Sequence, residues 1–301
     1  MEEVLQKLRT WLSPSDPSIN YNTGLDVLHK ETTTWFLEGS AFQEWHSKGT
    51  LLWINAKRAS FYRGITRYLR LPPFIAGAGK SILWSGILHF FCTQKLTFSP
   101  SSAIIKHIKS LLDAKTGSIA YFYFDFRDIN KRYRRDLLPS LLIQFSVHSI
   151  PCCEILSRVY SAHGKGTQQP SDEALTKSLK DMLAVLSQHP VYIVIDALDE
   201  CPDFSGVQSP RECVLNLVDD LVNLCLPNLQ ICVTSRLEVD IRNRLESLTD
   251  LSVSLHDQTG HKEDITKYIS SVVDFIAKKN KWREDDKELV LKTLSEKADG
   301  M

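Results

Sequence analysis

The sequence predicts an α/β fold: a three-layer arrangement in which a mainly parallel sheet is covered by helices on both faces. Two observations predict it. Short, unbroken apolar runs of strand length alternate along the chain with helix-length segments, the pattern of strands buried on both sides. The residues able to do chemistry also fall directly after those runs, where ligands bind in such sheets.

Residues 1–49 read as a lead-in to the sheet. They hold a helix at Val4–Leu12, a turn region rich in Ser, Pro, Asp and Asn near 13–22, and a Trp-rich stretch from Thr34 to Trp45. TLLWIN (50–55) is the first strand, and Lys80–Gln94 reads as a helix. SIAYFYFD (118–125) is a strongly β-prone, aromatic run, followed by a helix at Leu137–Val147 and a loop at His163–Ser171. In Glu173–Ser187 the apolar residues Leu175, Leu179, Met182, Leu183 and Leu186 recur at helical spacing. Val191–Ile195 is a short apolar strand. Then follow a helix at Glu212–Leu224, a strand at Leu229–Thr234, a helix at Val239–Leu245 and a strand at Leu251–Leu255. Two charged helices come last, near Glu263–Ala277 and Glu284–Lys297. The domain reading is a lead-in (1–49), an α/β domain (50–257) and the start of a helical region (258–301) that the sequence leaves truncated.

Composition narrows the function. With 301 residues and 43% apolar content the chain can bury a sizeable core, and 36 basic residues balance 36 acidic ones. That balance gives no electrostatic reason to expect nucleic acid or a membrane surface as partner. The start, MEEVLQKLRTWL, lacks the apolar core of a signal peptide, and the most apolar run (81–92) is too short to span a bilayer. Seven cysteines form no CxxC pair, which points to a reducing, cytoplasmic setting. Trp35, Trp45 and Trp53 read as core anchors. His163-Gly-Lys-Gly-Thr167 echoes a phosphate loop, but no apolar strand precedes it and it reads as a surface turn.

The segment Ala76-Gly77-Ala78-Gly79-Lys80-Ser81 is the tail of the phosphate-loop pattern GxxxxGK[ST]. Its glycines let backbone N–H groups face a phosphate, Lys80 reaches the β- and γ-phosphates, and Ser81 can ligate Mg²⁺. The first Gly of the pattern is replaced by Phe74, and about twenty residues separate the loop from TLLWIN. Those residues, AKRASFYRGITRYLRLPPFI (56–75), carry Lys57, Arg58, Arg63, Arg67 and Arg70 and no acid. The stretch reads as an insertion without an evolved role, such as translated non-coding sequence. The competing reading is a basic arm for an acidic partner.

VYIVID (191–196) drives an apolar strand into Asp196, the arrangement that holds Mg²⁺ at a strand end. Asp199 and Glu200 follow at the distance needed to orient or deprotonate an attacking water. LQICVTSR (229–236) ends in Arg236, read either as a sensor of the γ-phosphate or as a turn residue paired with Glu238 or Asp240.

With GKS, IDALDE and VTSR in this order, the chain resembles the NACHT class of signalling NTPases. More narrowly, it resembles the nephrocystin-3-like N-terminal module of many fungal NACHT proteins. WFLEGSAFQEW (35–45), LLWIN (51–55), YFYFDFRD (121–128), LLPSLLIQFS (137–146), IDALDEC (195–201) and ICVTSR (231–236) all carry the likeness. The resemblance implies a P-loop NTPase fold with the sensor strand between the first strand and the Walker B strand. It implies that Ala76 to Ser81 hold ATP or GTP, that Ser81 and Asp196 hold Mg²⁺, and that Asp199, Glu200 and Arg236 serve hydrolysis. The expected role is a nucleotide-gated signalling switch with slow hydrolysis, having protein partners or a second copy of itself. The alternative is a non-catalytic scaffold whose nucleotide site is broken by the 56–75 insertion. A stand-alone ATPase is a weaker third reading.

Overall fold

A computed structural model describes residues 2–27, 33–56, 100–112, 117–204, 209–249, 251–255 and 282–297, with scattered positions between 263 and 278. The expected phosphate loop at Ala76–Ser81, the rest of the insertion (57–75) and the helix expected at Lys80–Gln94 lie outside the described residues. Most of the helix expected at Glu263–Ala277 does too.

Five strands form one sheet: β1 (Leu51–Ala56), β2 (Ser118–Tyr123), β3 (Val191–Asp196), β4 (Leu229–Arg236) and β5 (Ser252–Ser254). Their order is β2-β3-β4-β1-β5, and every pairing is parallel. β4 therefore lies between β1 and β3, the position that the family resemblance gives to the sensor strand. β1 runs to Ala56, so the first residue assigned to the insertion still belongs to the sheet.

Side chains alternate between the two faces with the period of two that a pleated strand imposes. Leu51, Trp53, Ala120, Phe122, Val191, Ile193, Ile195, Ile231 and Val233 enter one apolar cluster. Leu52, Ile54, Tyr121, Tyr123, Tyr192, Val194 and Cys232 enter the other. The first cluster is closed by α1 (Glu2–Leu12), α6 (Arg134–His148), α7 (Ile150–Ala162), α8 (Asp172–Val185), α9 (Pro210–Val222) and α10 (Val239–Leu245). The second is closed by α3 (Thr34–Leu37), α4 (Ser40–Lys48) and α5 (Pro100–Leu111). Helices on both faces of an all-parallel sheet give the three-layer, P-loop NTPase-like α/β fold the sequence predicts.

Part of the lead-in is built into this core. Leu5, Leu8, Trp11 and Leu12 of α1 pack in the first cluster, and Trp45 of α4 donates its indole N–H to Ile231 O on β4 at 3.0 Å. Trp45 and Trp53 are fully buried anchors, as expected, while Trp35 is partly buried against the second cluster. Three elements depart from expectation. The turn region near 13–22 becomes helical from Ser18, as α2 (Ser18–Val27). Helices α5 and α7 have no counterpart in the sequence reading. α7 starts with Pro151 in its first turn and a Ser149 cap that accepts Cys152 N–H, local signals that outweigh the short polar residues around them. α11 (Glu284–Lys297) matches the last expected helix. Among the described residues no helix is long and apolar enough to cross a membrane.

Candidate functional site

The site lies at the carboxyl edge of β3 and β4. β3 is a buried run of Val, Tyr and Ile that ends at Asp196, which is where the burial of the strand first relaxes. Asp196 Oδ1 accepts hydrogen bonds from two hydroxyls, Ser101 Oγ and Thr234 Oγ1, each at 2.6 Å. Thr234 comes from the neighbouring strand β4, and its hydroxyl oxygen also accepts Ala197 N–H at 2.9 Å. Ser101 comes from the first turn of α5 and is fully buried. Beside it, Ser102 Oγ shares a hydrogen bond with Tyr123 Oη at 2.9 Å. Burial, helped by the nearby Asp196 carboxylate, pushes the Tyr123 phenol well above its usual range, so it stays protonated. Gly24 of α2 packs against Ser102 so closely that a Cβ there would clash with its side chain.

After Asp196 the chain turns sharply. Ala197 adopts a left-handed conformation (φ 54°, ψ 47°), a rare backbone state for a residue with a Cβ. It starts a 3-10 turn, Leu198–Glu200, whose Leu198 is buried in the core. The turn sets Asp199 against the end of β4. Asp199 Oδ1 accepts the backbone N–H of Arg236 at 2.9 Å, and Oδ2 lies 3.3 Å from Arg236 Nε. The Arg236 side chain thus pairs with Asp199, while Glu238, one of the alternatives the sequence offered, donates its backbone N–H to Arg236 O at 2.9 Å. Asp240 instead meets Arg211, at 3.2 Å. Glu200 Oε2 accepts Phe126 N–H, 3.2 Å away, from the loop after β2. In that loop Asp125 holds the Arg127 guanidinium through two hydrogen bonds of 3.0 and 2.9 Å and its backbone N–H through a third, and this pairing raises the Arg127 pKa.

The structure therefore brings together Asp196, Asp199, Glu200 and Arg236, the four described residues that the sequence singled out. It adds three the sequence did not. Ser101 and Thr234 hold the Asp196 carboxylate. Arg211, at the start of α9, donates to Asp199 O (2.8 Å) and Cys201 O (3.0 Å), which clamps the acidic turn to the helix. The signal for Thr234 was present in VTSR, where a hydroxyl precedes the arginine by two residues and so shares its strand. Nothing in the sequence around Ser101 marks it.

Ala56 and Arg236 are paired in register, and Leu237 N–H donates to Ala56 O at 2.9 Å. Ala56, beside Arg236, and Ser101, beside Asp196, thus lie at the same edge, and Ala76 to Ser81 fall between them in the sequence. The donors present, a carboxylate and two hydroxyls, are the hard oxygen ligands that suit Mg²⁺. Among the described residues no group of three His, Cys, Asp or Glu side chains is arranged to hold a metal ion.

No curated protein matches the chain. The family described as nephrocystin 3, N-terminal, matches residues 73–236. That range takes in the GAGKS turn, the β3 acids and Arg236, and it covers more than half of the chain, which belongs to the nephrocystin 3 N-terminal family.

Proposed function

We propose that this chain is a nucleotide-binding module that takes ATP or GTP with Mg²⁺ and works as a NACHT-type signalling switch with slow hydrolysis. The observation that carries the reading is the carboxyl edge of β3 and β4. There Asp196, held by Ser101 and Thr234, lies on the same edge as the Asp199–Arg236 pair. Gly77-Ala78-Gly79-Lys80-Ser81 fall in the sequence between Ala56 and Ser101, both of which lie at that same edge.

In this reading Lys80 and the glycine backbone hold the phosphates, and Ser81 and Asp196 hold the magnesium. The ion supplies charge neutralisation for the phosphate oxygens. Arg236 offers a guanidinium edge to a phosphate, and Glu200 a carboxylate to the attacking water. A protein partner, or a second copy of the chain, would read the switched state.

The test is the affinity of the purified chain for Mg-ATP and Mg-GTP, with Lys80→Ala as the control. Binding by the wild type that drops at least tenfold in the variant supports the proposal. Equal binding by both, or none by either, removes it.

A second reading has its own observation. The family match starts at Pro73, so β1, which lies inside the sheet between β4 and β5, falls outside it. This supports a foreign stretch between the first strand and the GAGKS turn, and with it a scaffold whose nucleotide site is broken. Deleting residues 57–73 and replacing Phe74 with Gly separates the two readings. Nucleotide binding that exists only in the repaired chain favours the scaffold.

A further inference from the structure

We propose that Asp199 is a positioning residue that aims Arg236 at an anionic ligand, and that it does not take part in proton transfer. The inference rests on the nucleotide reading above and assigns the two acids of the turn different tasks.

Three observations carry it. The first is how the Asp199 carboxylate is used. Its side chain is 7% exposed, and both oxygens are committed to one residue: Oδ1 to the Arg236 backbone N–H and Oδ2 to Arg236 Nε. A group that takes a proton from water needs an oxygen facing water. The second is rigidity. The Asp199 carbonyl accepts Arg211 Nη2, and Arg211 is itself tied to Cys201 O and Asp240 and is only 12% exposed. Ala197 in its left-handed conformation fixes the direction in which the turn leaves β3. An acid held this way can orient a partner without moving. The third is what remains of Arg236. Its Nε edge is engaged, yet the side chain is 46% exposed. A planar guanidinium held on one edge keeps its orientation and leaves its outer nitrogens for a phosphate.

The experiment compares Asp199→Ala, Asp199→Asn, Arg236→Ala and the Asp199→Ala/Arg236→Ala double variant. Two quantities are measured: the ratio of Mg-triphosphate to Mg-diphosphate affinity, and turnover. As a positioning residue, Asp199→Ala lowers the affinity ratio about tenfold, as Arg236→Ala does, and the double variant lowers it no further. Asp199→Asn keeps an acceptor for the Arg236 backbone and retains part of the ratio. A thermal melt of each variant checks that it is folded. The melting midpoint of the double variant should fall no further than that of the worse single variant.

Loss of turnover in Asp199→Asn with an unchanged affinity ratio overturns the inference and leaves the nucleotide reading standing. Additive effects on the melting midpoint also overturn it. A wild-type chain that binds neither nucleotide overturns both together.

Discussion

The ends of β3 and β4 differ from the end of β1. At β3 and β4, side chains cross-tie the strand ends: Thr234 to Asp196 and Ala197, Ser101 to Asp196, Asp199 to Arg236, and Arg211 to the turn between them. At β1 the described ties run to the neighbouring strands. Leu237 N–H reaches Ala56 O, and Asn55 Nδ2 donates to Ser252 Oγ at 2.9 Å. The acids after β3 are thus tied in place by β4, α5 and α9. The phosphate loop of the proposed site falls within residues 57–99.

The comparison breaks most severely at Trp53. It is fully buried in β1 and donates its indole N–H to Ser235 Oγ on β4 at 2.9 Å, so it ties the two strands together. Trp53→Ala should cost about 3–5 kcal/mol of stability in urea unfolding. The second break is confined to the ends of β3 and β4. Thr234→Val keeps the shape but leaves Ala197 N–H without its acceptor and takes one donor from Asp196. It should cost about 1–3 kcal/mol and weaken Mg²⁺-dependent nucleotide binding.

A smaller effect on stability sharpens the contrast from the other side. Removing residues 57–73 shortens the connection between Ala56 and Pro100 by less than half. Chain closure alone then changes stability by under about 0.6 kcal/mol. Nucleotide affinity should rise while the melting temperature barely moves, because the described ties to Asp196 and Asp199 come from residues outside the deleted stretch.

The smallest effect concerns thiol chemistry beside the acids. Burial pushes the Cys201 thiol up to about 12, and its Sγ donates to Arg132 O. At pH 8 it remains protonated and covered, while Cys225 is exposed. Alkylation of the native chain should modify Cys225 readily and reach Cys201 only on unfolding. Rapid native labelling of Cys201 would show that the acidic turn opens.

The strands were legible because runs such as VYIVID and LQICVT are apolar on both faces, which only a covered parallel sheet requires. The acids were legible because a strand of that kind ends abruptly in Asp196. Helix α5 was hidden by its own residues, since PSSAII combines a proline, two short hydroxyl residues and β-branched side chains, none of which marks a helix. The Asp199–Arg236 pair was hidden for a different reason. The two residues are 37 positions apart, and they meet only because β4 lies next to β3. Sequence spacing carries no trace of that adjacency, so the ion-pair partners it offered for Arg236, beside the sensor reading, were ones close to it in the chain.

The most direct test of the nucleotide site is the Mg²⁺ dependence of ATP and GTP binding in the wild type and in Asp196→Asn. The wild type should bind one of them in a Mg²⁺-dependent manner, and Asp196→Asn should lose that dependence with a fall of at least tenfold in affinity. Binding that is indifferent to Mg²⁺ and equal in the two proteins, or absent from both, would contradict a nucleotide site at the ends of β3 and β4.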